Sequence, residues 1–218
     1  MLSETKNINL LEILKKSKVI PIAVFSDINN AIRTAELLLK NSVNLLEITL
    51  RTAIAFKCLK EIRDNFPELI VGAGSVLSAD ALKEAVDSGA MFGVAPGLDF
   101  DVVNYALSKK INFIPGVLTP SELNSAIKAD LKFIKIFPAA NMGGTEYIKA
   151  ITAPFKMKDF YLVPTGGINE KNIAEYLKTE RVIACGASYI VDSKLIEKNE
   201  FDELDRRIRM TKELLALK

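Results

Sequence analysis

Short apolar runs rich in Val, Ile and Phe recur along this chain at intervals of roughly 21 to 27 residues, with helix-period segments between them. The runs at residues 19–25, 45–50, 70–76, 91–95, 112–117, 133–137, 160–165 and 182–190 read as strands. Each interval has room for one strand, one crossover helix and two short loops, which is the spacing of parallel pairing. About eight such units close a barrel, so the expected class is α/β, a (β/α)8 barrel of the TIM type. Residues 31–39 show the helical period, and Asp27 or Asn29 stands where a helix start needs a cap. An extra amphipathic helix is expected over residues 7–16, and a last helix over 201–217. No linker or low-complexity tract divides the 218 residues. The chain reads as one domain, 1–218, with an N-terminal helix in 1–17, a barrel over 18–192 and a C-terminal helix over 201–217.

Composition removes several chemistries. There is no histidine, which excludes Ser-His-Asp triads, Cys-His dyads and His-ligated zinc or iron. Acid–base work falls to carboxylates, lysines, tyrosines or water. Cys58 and Cys185 have neither disulfide-framework nor metal-ligand spacing and are expected to be small buried hydrophobes. No carboxylate cluster points to a metal, and none is expected, nor any cofactor. A net charge of +2 gives no electrostatic footprint for nucleic acid. No run of membrane-spanning length and no secretory pattern is present, so a cytoplasmic protein acting on a small molecule is expected.

Lys135 lies in Phe133-Ile134-Lys135-Ile136-Phe137-Pro138, an apolar run closed by proline. An unpaired ammonium buried there costs several kcal/mol by rough reckoning, and a lysine in such a place tends to shed its proton and become a nucleophile toward carbonyls. The alternative is a solvated lysine at a strand edge, the reading given to Lys132. Leu45-Leu46-Glu47-Ile48-Thr49-Leu50-Arg51 carries the complementary charge. A period of two puts Leu46, Ile48 and Leu50 on one side and Glu47, Thr49 and Arg51 on the other. Such a strand suits a barrel wall with helices outside and chemistry inside. At a reference pKa of about 10.4, only about one amine in 2,500 is neutral at pH 7; lowering it to about 7.5 takes roughly 4 kcal/mol. Burial and Arg51 push that way and Glu47 pushes back, so Glu47 is expected near Lys135 without a tight ion pair.

Glycine and proline collect at the predicted strand ends: Gly72-Ala73-Gly74-Ser75, Pro96-Gly97, Pro115-Gly116, Thr165-Gly166-Gly167 and Gly186-Ala187-Ser188. In a parallel barrel these carboxyl ends share one face, and the loops after the seventh and eighth strands are the usual phosphate site.

The ordered blocks Glu47-Ile48-Thr49-Leu50-Arg51-Thr52, Gly72-Ala73-Gly74-Ser75-Val76, Pro96-Gly97, Pro115-Gly116, Lys135-Ile136-Phe137-Pro138-Ala139 and Pro164-Thr165-Gly166-Gly167-Ile168 span about residues 18–192. With them the chain resembles the 2-keto-3-deoxy-6-phosphogluconate (KDPG) and 2-keto-4-hydroxyglutarate (KHG) aldolases. The resemblance implies a metal-independent class I aldolase, commonly a homotrimer. Lys135 would form the Schiff base and Glu47 serve as general acid and base. Arg51 would hold the substrate carboxylate with help from Ser75 and Thr49. Thr165, Gly166, Gly167, Gly186 and Ser188 would surround the distal phosphate, and Pro96, Pro115 and Phe137 would shape the walls.

Three positions depart from the family pattern: Ser75 stands where threonine is usual, Ala187 where a second glycine is common, and Asn141-Met142-Gly143-Gly144 where an acidic start is more usual. Ala187 is expected to shift one phosphate contact. The galactonate-derived substrate, or a phosphosugar-binding barrel without aldolase chemistry, is the alternative reading. Tyr105, Tyr147 and Tyr161 are expected to pack.

Overall fold

The structure is a computed structural model and describes residues 8–216. Its elements alternate as the spacing predicts. Helix α1 (Leu10–Ser17) precedes β1 (Val19–Ala23), α2 (Ile28–Lys40), β2 (Leu45–Thr49), α3 (Ala55–Asn65), β3 (Ile70–Gly74) and α4 (Ala79–Asp87). Then come β4 (Phe92–Val94), α5 (Phe100–Lys109), β5 (Asn112–Ile114), β6 (Gly116–Val117), α6 (Pro120–Lys128), β7 (Phe133–Ile136) and α7 (Gly144–Thr152). The chain ends with β8 (Tyr161–Pro164), α8 (Ile173–Tyr176), β9 (Cys185–Ala187), α9 (Ser193–Glu197) and α10 (Phe201–Ala216).

Every strand pairing is parallel, in an α/β fold whose sheet curls. The ladder differs from an uninterrupted eight-stranded ring. It forms a six-stranded sheet, β5-β4-β3-β2-β1-β9, and a three-stranded one, β6-β7-β8. Pro115 splits the expected 112–117 strand, since proline carries no N–H for a ladder. At the other seam only isolated parallel bridges, Leu162 to Val182 and Thr165 to Gly186, join β8 to the segment around β9. The expected 182–190 strand shrinks to three residues because Ser188 turns to helical dihedrals and opens a 3-10 turn over Tyr189–Val191.

Helix starts follow local chemistry. Asp27, not Asn29, caps α2, accepting the Asn30 N–H at 3.0 Å. Asn9 caps α1, so that helix begins later than expected; the part of the expectation on residues 1–7 lies outside the described residues, as does Leu217 of the last helix.

Apolar residues fill two compartments. Leu46, Ile48, Ile134 and Ile136 face the helices in the larger core. Ile20, Leu45, Phe92, Ile114 and Val163 meet inside the curl of the sheet, where Leu10 and Leu14 of α1 cover them. The alternation of a strand therefore puts Glu47 on the inner face with Leu45, and Lys135 on the inner face with Phe133. Gly72 makes this layer possible, for a Cβ there would overlap the Phe92 ring. Among the described residues no helix is long and apolar enough to cross a membrane.

Phe92 is fully buried in this inner layer. Phe92→Ala is expected to lower unfolding free energy by about 3–5 kcal/mol, read by urea denaturation followed by circular dichroism.

Candidate active site

Lys135 is held at the centre of β7. Its N–H donates to the Pro115 carbonyl at 2.8 Å, and it pairs in register with Gly116 and Val163. Its side chain is buried, 6 % exposed, with Nζ 5.0 Å from the centre of the Phe137 ring. Burial drives its pKa below the ordinary lysine value, Glu47 opposes that, and Arg51 adds to it. Glu47 is more deeply buried, 2 % exposed, and burial pushes its carboxyl above the usual range while Lys135 and Arg51 pull it down. Among the described residues no ion pair joins them. The two groups thus sense each other's charge without the tight salt bridge that would pin both in their charged forms.

Gly74 gives Glu47 its place. The two residues lie on neighbouring strands, with Gly74 opposite Thr49, and a Cβ on Gly74 would overlap the Glu47 carboxylate. Just beyond, Ser75 takes a left-handed backbone, φ 56°, rare for a residue with a side chain. Its Oγ accepts the Arg51 Nε–H at 3.0 Å. This anchors the guanidinium by one edge and leaves its terminal nitrogens as a fork for a carboxylate. The Thr49 hydroxyl, expected to add a hydrogen bond beside Arg51, is shut away from solvent and has no partner among the described residues. Pro96, Pro115 and Phe137 stand around the same end of the sheet, and the Pro96 carbonyl lies where a Cβ on Gly116 would sit.

A second cluster lies after β8. Thr165 is buried and bridges to Gly186, whose missing Cβ leaves space for the threonine hydroxyl. Gly166 and Gly167 have φ of 96° and 75°, so this turn needs glycine at both positions. Ser188 is exposed at the end of β9. Ala187 points the other way, into the helix-side core, so its methyl does not reach this turn and the expected shift of a phosphate contact has no basis in the packing. Asn172, passed over at the level of sequence, donates from Nδ2 to the Gly167 carbonyl at 2.8 Å.

Two cavities lie away from these clusters. One of about 660 Å³ lined by Lys15, Lys18, Tyr161 and Arg181, and one of about 370 Å³ between α1 and α10, open toward the amino ends of the strands. Neither includes Lys135 or Glu47. The tyrosines serve packing and hydrogen bonding: Tyr161 stacks on Phe133 at 6.1 Å, Tyr147 donates to the Leu118 carbonyl, and Tyr105 lies against the larger core. Lys132 is exposed and paired with Asp159, and both cysteines are buried and free.

Two outcomes follow from this geometry. Gly74→Ala should keep the fold but displace Glu47, and is expected to lower kcat at least about a hundredfold, the lower range for loss of a general base, with circular dichroism unchanged. Lys135 should also lower stability at neutral pH, because its depressed pKa means that the unfolded chain binds the proton more readily. In a Glu47→Gln background, Lys135→Met is therefore expected to raise stability at pH 7. The gain should shrink as pH rises through the ordinary lysine value of 10.5, read by denaturation across that range.

The comparisons agree on the kind of protein. The family model described as KDPG and KHG aldolase matches residues 10–207. A 2-dehydro-3-deoxy-phosphogluconate aldolase of Haemophilus influenzae is 34% identical over 200 residues, covering 92% of this chain and 93% of the relative. A KHG/KDPG aldolase of Escherichia coli is 36% identical over 197 residues, covering 90% and 92%. A crystal structure of KDPG aldolase from Legionella pneumophila, with pyruvate captured as a covalent carbinolamine intermediate, superposes with a TM-score of 0.87 at 33% identity, covering 93% of this chain and 97% of that one. By its sequence along nearly its whole length and by its fold, this chain belongs to the KDPG and KHG aldolase family.

Proposed function

We propose that this protein is a class I aldolase that cleaves 2-dehydro-3-deoxy-6-phosphogluconate to pyruvate and D-glyceraldehyde 3-phosphate. It also cleaves 4-hydroxy-2-oxoglutarate to pyruvate and glyoxylate. The observation that carries this reading is the buried pair: an amine and a carboxyl, 6 % and 2 % exposed, on the inner faces of the three-stranded and six-stranded sheets and without an ion pair between them. The covalent pyruvate in the Legionella relative and the names of the relatives support the same chemistry.

Neutral Lys135 attacks the C2 ketone, and a proton delivered by the Glu47 carboxyl to the carbinolamine hydroxyl lets water leave, so that a protonated imine and a Glu47 carboxylate remain. Glu47 takes the proton of the C4 hydroxyl, directly or through a water. The C3–C4 bond then breaks: its electron pair moves into the imine to give an enamine, and C4 leaves as the aldehyde. A proton returned to C3 restores the imine, and water releases pyruvate and free Lys135. The iminium is the electron sink, so the cycle needs no metal. Arg51, anchored by Ser75, holds the C1 carboxylate. The Gly166–Gly167 turn, with Thr165, Gly186 and Ser188 beside it, receives the phosphate at the far end of the substrate. Thr49, with its hydroxyl enclosed, supports the wall next to Glu47.

The same reading treats 1–218 as one catalytic domain whose seams at Pro115 and Thr165 complete a (β/α)8 barrel, assembled as a homotrimer. Light scattering on the purified protein tests the trimer, with three times the 24.0 kDa chain mass expected.

Lys135→Arg keeps the charge but cannot pass through a neutral amine, so pyruvate release is expected to fall to background in a coupled assay. Glu47→Gln is expected to lower kcat by roughly 10²–10⁴-fold. Addition of EDTA should leave the parent rate unchanged. Turnover retained by Lys135→Arg would contradict the assignment.

A further inference from the structure

We infer that Asn172 is a positioning residue that sets the preference for phosphorylated over unphosphorylated substrates, an inference that rests on the aldolase reading above. The Gly166–Gly167 turn has little of its own to hold it in shape. Two consecutive glycines at positive φ have the widest conformational freedom a chain offers, so the turn must be fixed by what binds its carbonyls.

Three successive carbonyls are tied back into the protein. Thr165 O accepts from the Ala139 N–H at 2.8 Å, and Gly166 O accepts from the Ala140 N–H at 3.0 Å. Those two ties come from the backbone that follows β7. The third, on Gly167 O, comes from the Asn172 side chain at 2.8 Å. The other end of the same carboxamide, Oδ1, accepts the Asn169 N–H at 2.8 Å. Asn172 therefore clamps the turn at two backbone points. The Asn169 amide reaches Gly167 O only at 3.5 Å, the limit of hydrogen bonding, and leaves Asn172 as the principal tie.

A trans peptide unit is planar, with its C=O and N–H pointing in opposite directions. Tying the carbonyl of Gly167 to Asn172 thus aims the N–H of Ile168 away from Asn172, and the tie on Gly166 turns the N–H of Gly167 away from Ala140. Among the described residues neither amide donates to a protein acceptor. Successive amides of this kind form a nest for an anion. Asn172 controls the direction of one of them without touching the substrate. The unphosphorylated 4-hydroxy-2-oxoglutarate ends in a carboxylate directly on C4, two carbons and an ester oxygen short of the phosphate, so it does not reach the turn as the phosphate does and its turnover should be far less sensitive to the clamp.

The test compares the parent with Asn172→Ala and Asn172→Asp on the 6-phosphate substrate and on 4-hydroxy-2-oxoglutarate, with borohydride trapping of pyruvate on all three proteins. The aspartate variant keeps the acceptor for the Asn169 N–H, loses the donor to Gly167, and guards against a fold lost through shortening. Losing one to two hydrogen bonds predicts a KM for the phosphorylated substrate raised about tenfold in both variants. Its kcat should change less than about threefold, and kcat/KM for 4-hydroxy-2-oxoglutarate should stay within about twofold of the parent. An equal fall on both substrates would assign Asn172 a general structural role and overturn the inference, as would an unchanged KM. Imine trapping in the parent without the KM split defeats the Asn172 assignment alone. A parent that traps no pyruvate defeats both it and the aldolase reading.

Discussion

Removal of Lys135 from water is the constraint on which the site depends. Its amine can act on a ketone only when neutral, and burial in the sheet lowers its pKa in that direction, with Arg51 adding repulsion and Glu47 opposing both. The opposition has to be limited. A close Glu47–Lys135 ion pair would return the amine to its charged form, whereas in the proposed mechanism a distant Glu47 would leave no base for the C4 hydroxyl. The arrangement settles between these extremes, with Glu47 itself raised by burial so that it too exchanges protons more easily. Both groups are held in states that reduce the stability of the fold, a cost borne by the two apolar compartments around them.

The inner compartment explains how water is kept from below. Ile20, Leu45, Phe92 and Val163 form an apolar layer beside and beneath Glu47 and Lys135, and Leu10 and Leu14 of α1 close it. Above this layer the glycines at the strand ends exchange side-chain volume for room. Gly74 makes space for a carboxylate, Gly186 for the Thr165 hydroxyl, and Gly116 for the Pro96 carbonyl. On the proposed reading, two anionic ends of one substrate are then met by different physics. A guanidinium fork anchored by Ser75 suits the carboxylate beside the reacting carbon. A rigid turn of backbone amides suits a phosphate that must be recognised at a distance from the chemistry.

Much of this was legible in the sequence because it rests on period and on cost. The βα spacing gave the parallel fold, and a lysine inside Phe133-Ile134-Lys135-Ile136-Phe137 had few physical explanations. The inner face of β2 followed from alternation, though the boundary at Arg51, exposed and past the strand, did not. The break at Pro115 was readable in principle, since the residue cannot donate to a ladder; the early end of β9 was not, because Ser188 has no strong dihedral preference. Ala187 looked like a change at the phosphate site and proved to face the core, a distinction that needs the strand register. Asn172 escaped notice because an asparagine after a Gly-Gly turn is ordinary. Its two bonds to one loop appear only in three dimensions.

The central claim is tested most directly by incubating the protein with excess pyruvate and borohydride, then measuring intact mass and mapping the modified peptide. The account predicts one stable pyruvate adduct per chain, on Lys135. A folded protein that forms no adduct, or one that carries it on another lysine, would contradict the account.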